Sequence, residues 1–341
     1  MNKEGGSLRS STSVVCNLFW TAVVARTLSS PEAAVSKSVE RIGFMELTIE
    51  TQLTLNDGHR IPQLGLGVWQ TRAGASCEAA VLAALEAGYR HIDTAAMYGN
   101  EESVGAAVRI SGVPREKIFI TTKLWNSDHG NPERALDTSL RKLKLDYVDL
   151  YLIHYPVRER RQSWRALETL RAKGKARSIG VSNFTIRHLT ELLAETKTVP
   201  AVNQVEFHPY LYQRDLLDFC AGRGIVVEAY SPLTQGARLK DPKLVAVAKK
   251  YSKAGAQPEA PRSRLPLVDR LSRRSEIQST AQILIRWALQ HGLVVIPKSA
   301  NRRRIFENAD IFDFEISAED MRHLDGFNEN LRTCWDPTHA P

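Results

Sequence analysis

The chain has 341 residues, 43% hydrophobic, 25% charged and 7% aromatic, which excludes a low-complexity or fibrous polymer and fits an ordinary globular protein. Its formal net charge is +8, from 46 basic and 38 acidic residues, and residues 1–44 and 254–279 each carry five basic against three acidic groups. With no Lys/Arg run interleaved with aromatics, so mild an excess does not point to nucleic acid, although it suits a polyanionic small molecule.

Residues 1–44 read as a disordered extension. The first thirty residues are rich in Ser and Thr, hold three basic residues against one acidic, and contain an apolar run from Val14 to Ala25 broken by Asn17 and Thr21. A mitochondrial or secretory targeting segment is the alternative reading. The run is shorter than the roughly 18–20 apolar residues that span a bilayer. It also lacks a clear A-x-A cleavage pattern. A cytoplasmic protein with no membrane partner is therefore expected. The cysteines Cys16, Cys77, Cys220 and Cys334 lie far apart without a C-x-x-C pair, which suits a reducing compartment.

From residue 47 the pattern becomes structural. Leu47 to Leu55 alternates apolar and polar residues and ends at Asn56-Asp57-Gly58, a hairpin signal. Strand-like runs then alternate with helix-period segments: Leu64–Val68 with Cys77–Ala87, Arg90–Asp93 with Glu101–Arg109, Ile118–Leu124 with Pro132–Leu143, and Tyr147–His154 with Trp164–Lys173. Four more units follow: Ala176–Val181 with Ile186–Ala194, Val202–Val205 with Arg214–Ala221, Ile225–Ala229 with Ala281–Gln290, and Val294–Ile296 with Arg303–Ala309. Runs such as Val148 to Ile153 are almost continuously apolar, as parallel strands covered on both faces should be. Eight such units predict an α/β fold, a (β/α)8 TIM barrel preceded by a β-hairpin, in one domain over 45–330. A doubly wound dinucleotide fold is disfavoured: Gly65-Leu66-Gly67 runs into Val68-Trp69-Gln70 without a third glycine or an opening helix. Residues 254–279, with three prolines and five arginines, read as a disordered insertion, and 331–341 as a tail.

Catalytic groups of a barrel stand at the C-terminal strand ends. Asp93 ends the second strand, with Tyr98 just beyond; Lys123 ends the third and His154 the fourth. Each alone has a structural explanation. Together they have a chemical use: Asp93 can hold Lys123, the lysine cation can favour the phenolate of Tyr98, and His154 can orient a carbonyl oxygen beside that hydroxyl. Since a phenol titrates near 10, it needs such a neighbour to donate a proton readily at neutral pH. No histidine shows a ligand spacing such as H-E-x-x-H, and no metal is expected.

Four segments in order, Gly88 to Ala95 (GYRHIDTA), Gly180 to Phe184 (GVSNF), Val202 to Glu206 (VNQVE) and Ile296 to Ser299 (IPKS), resemble signatures of the aldo-keto reductases, and the likeness spans about residues 47–330 apart from the insertion. The resemblance implies reduction of aldehydes and ketones by NADPH, with Tyr98 as general acid and Asp93, Lys123 and His154 completing a tetrad. It implies cofactor contacts at Val68, Trp69, Asp93, Ser182, Asn183, Gln204, Tyr230, Ser231 and Leu233. Lys298, Ser299 and Arg304 are implied for the adenosine 2′-phosphate, with Glu307 and Asn308 on the adenine side. Arg302 and Arg303 read as a solvated helix face. Trp69, Trp125 and Tyr155 are implied as the apolar wall around a small-molecule carbonyl substrate, beside Tyr98 and His154. A short fourth βα loop, Val157–Gln162, and a short tail after Asn330 resemble the bacterial and protozoan branch and imply an open site. That branch includes the 2,5-diketogluconate reductases and prostaglandin F synthases. The family implies a monomer. A catalytically weak NADPH-binding redox sensor or regulatory subunit is the alternative, which the intact tetrad disfavours.

Overall fold

The computed structural model describes residues 47–251 and 279–341. The 1–44 extension lies outside the described residues, as does the 254–279 insertion apart from Ser279. A hairpin comes first: β1 (Gln52–Thr54) pairs antiparallel with β2 (Arg60–Pro62). Its turn closes through Leu55 N–H to His59 O at 2.8 Å and Gly58 N–H to Leu55 O at 3.0 Å. Gly58 has φ 88°, where a side chain would strain the backbone.

Eight parallel strands follow in chain order: β3 (Leu66–Gly67), β4 (His91–Asp93), β5 (Phe119–Leu124), β6 (Val148–Ile153), β7 (Ala176–Ser182), β8 (Val202–Glu206), β9 (Val226–Tyr230) and β10 (Val294–Val295). Parallel bridges Leu64 to Val295 and Gly67 to Lys298 join the first edge to the last, which closes the cylinder. The expected (β/α)8 barrel with its N-terminal hairpin is the fold.

The helices are α1 (Ala75–Glu86), α2 (Glu101–Ile110), α3 (Pro132–Leu143), α4 (Arg160–Ala172), α5 (Ile186–Leu193), α6 (Arg214–Ala221), α7 (Pro242–Lys250), α8 (Thr280–Gln290), α9 (Arg302–Ala309) and α10 (Ala318–Asp325). Sequence reading saw helical text pausing at Tyr251–Lys253 without bounding α7, and did not register α10, although each has its cap: the side chain of Asp241 accepts from Lys243 N–H and that of Ser317 from Asp320 N–H. It also began α4 at Trp164, because the first turn from Arg160 carries no apolar residue. Among the described residues no helix is long and apolar enough to cross a membrane.

The two-residue period of the strands builds two cores. Tyr151 and Ile153 of β6 face outward with Ile92, Ile179 and Val181, against Leu136, Trp164, Leu189 and Trp287 of the helices. Leu150 and Leu152 face inward with Phe119, Val202 and Val294, and Leu55 and Ile61 of the hairpin region stopper this inner layer from below. Full burial of one such side chain contributes about 1.5–3 kcal/mol. Toward the C-terminal strand ends the inner face turns polar: Phe119 gives way to Thr121 and Lys123 on β5, and Val226 to Glu228 on β9, all but Val226 buried. Apolar strands thus fill the bottom, and their polar last residues are left to make a site at the top.

Candidate active site

Lys123 is fully buried, and its ammonium donates to both carboxyl oxygens of Asp93 at 2.7 and 2.8 Å and to Thr94 O at 2.9 Å. A fourth neighbour is the hydroxyl of Tyr98, 3.3 Å away. Tyr98 stands on a single 3-10 turn, Ala96–Tyr98, that ends at Gly99 with φ 68°. Asn100 fixes that turn from beneath: its amide donates to Val68 O and Thr71 O, and its carbonyl accepts from the Thr94 hydroxyl. This positioning role was not foreseen, since an Asn after Tyr-Gly reads simply as turn chemistry.

The ammonium does not make this phenol acidic, contrary to the expectation above. Burial first, then the negative charge of Asp93, hold the Tyr98 hydroxyl well above its ordinary value. The lysine's shorter contacts are with Asp93 and burial dominates, so Tyr98 keeps its proton at neutral pH. For Asp93, burial pushes the carboxyl up, while Lys123 and the amide of Gln204 oppose it.

His154 packs edge-on to Tyr98, ring centroids 5.7 Å apart, and to Trp125 at 5.1 Å. Burial and the Lys123 charge hold its imidazole well below the usual range, so it is neutral at pH 7. Its Nδ1 is buried with no hydrogen-bond partner among the described residues. The four tetrad residues are thus brought together.

A second bank faces them. Ser182 donates to Gln204 O at 2.8 Å, Asn183 to His154 O at 2.9 Å, and the Tyr230 hydroxyl to Asn183 Oδ1 at 2.7 Å. Gln204 reaches across the barrel, its amide nitrogen donating to Asp93 Oδ2 at 2.8 Å. Asn183, Ser231, Thr234 and Gln235, in the loops after β7 and β9, have φ between 48° and 63°, a conformation that costs non-glycine residues of order 1 kcal/mol or more. Leu233 precedes this pair and is half-buried. Val68, buried at the end of β3, donates its N–H to Asp93 O.

At β10 and α9, Arg302 is tied to both carboxyl oxygens of Glu86 and Arg303 to Glu307 at 3.4 Å, whereas Lys298 and Arg304 are exposed and have no carboxylate partner among the described residues. The Ser299 hydroxyl accepts from Asn301 N–H, and Asn308 is buried. Arg302 and Arg303 are therefore paired rather than merely solvated.

The short tail, expected to leave the mouth open, reaches the mouth. Trp335, from the tail, stands 5.5 Å from His154, 5.8 Å from Trp125, 6.0 Å from Tyr155 and 6.5 Å from Trp69, ring centroid to centroid. Tyr155 donates its hydroxyl to Asp336 O at 3.0 Å. Glu206 anchors the tail by accepting from Thr333 N–H at 2.8 Å, the Thr333 hydroxyl at 2.5 Å and Cys334 N–H at 3.1 Å. Trp335, Cys334 and Glu206 were missed because their meeting joins positions about 130 residues apart, and tail length alone does not reveal where a tail folds.

The Aldo/keto reductase family profile matches residues 63–329. The chain is 46% identical over 296 residues to the glyoxal reductase of Bacillus subtilis, covering 86% of this chain and 98% of that protein. It is 46% identical over 291 residues to the 9,11-endoperoxide prostaglandin H2 reductase of Trypanosoma cruzi, covering 84% and 94%. Among solved structures, an aldo/keto reductase of Brucella melitensis superposes with a TM-score of 0.71 at 44% identity, over 82% of this chain and 99% of that one. An aldo-keto reductase of Bombyx mori in complex with NADP superposes with a TM-score of 0.73 at 37% identity, over 86% and 99%.

Proposed function

Because the chain belongs to the aldo/keto reductase family, an oxidoreductase family, we propose that it reduces small reactive aldehydes and α-ketoaldehydes with NADPH, Tyr98 supplying the proton. The observation that carries this reading is the 3.3 Å approach of the Lys123 ammonium to the Tyr98 hydroxyl, with Asp93 behind it and His154 beside it. The substrate class rests on the glyoxal reductase of Bacillus subtilis and the methylglyoxal reductase of Yersinia pestis, both 46% identical to this chain.

The residues fit a phosphorylated dinucleotide. Ser182, Asn183, Gln204 and Tyr230 offer hydroxyl and amide groups at the strand ends, suited to a carboxamide and a flat ring. Lys298 and Arg304, without a carboxylate partner among the described residues and beside Ser299, suit a 2′-phosphate, with Glu307 and Asn308 next to them. Ser231 and Leu233 lie in the loop between these groups. The cofactor, when bound, supplies hydride from nicotinamide C4.

The chain's own residues do the rest. Tyr98 passes its phenolic proton to the carbonyl oxygen as carbon is reduced, and the product is an alcohol. Neutral His154 donates a hydrogen bond to that oxygen without carrying charge into the pocket. Lys123, held on Asp93, offsets the negative charge left on the phenolate. Trp69, Trp125, Tyr155 and Trp335 exclude water around the carbonyl.

The test is direct: purified protein with NADPH and methylglyoxal or 4-nitrobenzaldehyde should consume the dihydronicotinamide absorbance. Tight cofactor binding without turnover would favour the sensor instead.

A further inference from the structure

Glu228 has no place in the tetrad, yet it lies beneath it. It sits on the inner face of β9, in register with Gln204 on β8 and Val294 on β10, and is fully buried. Neither of its carboxyl oxygens finds a hydrogen-bond donor among the described residues. Its nearest ionisable contact is His91 Nε2 on β4, 3.6 Å from Oε1, and that nitrogen already lies 3.0 Å from the Thr121 hydroxyl. Gly65 on the other side makes room for this ring, since a Cβ there would stand 2.7 Å from His91 Nδ1. The charged and titratable groups around Glu228 are His91 and Asp93 from β4, Lys123 from β5, and Tyr98 above.

One cation therefore serves two buried carboxyls. Asp93 takes both ammonium contacts and the Gln204 amide proton, the marks of an ionised acceptor. His91 cannot supply a second cation: burial first, then Lys123, drive its imidazole down to about 3. An ionised Glu228 would be an anion in a dry barrel, beside a Gln204 amide whose donor is already committed to Asp93.

Resting on the reading of Tyr98 as proton donor, we propose that Glu228 is a positioning residue that keeps its proton at neutral pH, and that loss of this proton sets the alkaline limit of turnover. Neutral, it leaves Asp93 and Lys123 as a balanced pair. Ionised, it adds a negative charge below Tyr98, which tightens the phenol's hold on its own proton and weakens it as a donor. Burial and repulsion from Asp93, outweighing the Gln204 amide and the Lys123 charge, push this carboxyl up to about 8, which locates the limit.

Infrared difference spectroscopy of the cofactor-free protein tests the first half. The wild type should show a buried carboxylic acid C=O band at neutral pH that fades as pH rises through about 8. The band should persist in Tyr98→Phe and be missing from Glu228→Gln. A band that survives Glu228→Gln and vanishes in Asp93→Asn, or no band at all, overturns the proposal. The pH profile tests the second half: with KM little changed, Glu228→Gln should move the alkaline fall of kcat upward by about one pH unit or more. Superimposable wild-type and Glu228→Gln profiles overturn it. If Tyr98→Phe stays active while the band follows Glu228, the proton-donor reading fails and the stored proton stands.

Discussion

The indole of Trp335 and the imidazole of His154 face each other with centroids 5.5 Å apart, so a residue six positions from the end of the chain shapes the space above the tetrad. Trp335→Ala should therefore widen the pocket. Specificity constants for bulky aromatic aldehydes should rise relative to methylglyoxal, and an unchanged ratio across a size series would deny the tail that role.

Holding the tail in place falls to Glu206. Burial would raise this carboxyl, but hydrogen bonds from His208 and Thr333 win and keep it below the ordinary glutamate range. Its anchoring is thus complete above the unfolded-state value near 4 and is lost as pH falls through the depressed folded value. Glu206→Gln, which cannot accept as an anion, should cost about 1–3 kcal/mol in urea unfolding and raise KM more than it lowers kcat.

Removing the phenolic oxygen isolates the proton step. Tyr98→Phe should lower kcat by about a hundredfold or more while NADPH affinity, read by fluorescence quenching, stays within a factor of about three. Near-normal turnover would remove Tyr98 from the chemistry.

The buried histidines make stability depend on acid. His91 titrates at about 3 and His154 well below the ordinary imidazole value, so in both the unfolded chain binds a proton before the folded one does. Stability is accordingly full above about 6.5 and falls as pH drops below it, at about 1.4 kcal/mol per pH unit for each residue. Calorimetric Tm measured between pH 7 and pH 5 should decline; a flat Tm would mean that the rings are charged in the fold.

For cofactor choice, Arg304→Ala should weaken NADPH by about tenfold or more and leave NADH almost unaffected, since the guanidinium has no carboxylate partner in the described protein to lose. Equal losses for the two dinucleotides would move the phosphate pocket elsewhere.

Much of this was legible in the sequence. Continuous apolar strands such as Val148 to Ile153 gave the barrel, and Asp93, Tyr98, Lys123 and His154 each end a strand or follow one. Helix α10 escaped notice, and α7 was left without bounds, because they add no strand to the alternating count. What could not be read is set by distance in the chain. Gln204 meets Asp93 across 111 residues, and Thr333 meets Glu206 across 127. The protonation of Tyr98 also resists reading, because adjacency to lysine suggests one sign and burial together with the Asp93 carboxylate imposes the other.

The complete enclosure of Lys123 has a chemical benefit of its own. A primary amine beside an aldehyde ordinarily condenses with it to an imine, and α-dicarbonyls glycate lysines irreversibly. Here the nitrogen is fully buried and turned onto both carboxyl oxygens of Asp93 and the carbonyl of Thr94, so it is not presented to an incoming carbonyl carbon. The site can process carbonyl compounds without becoming derivatised by them.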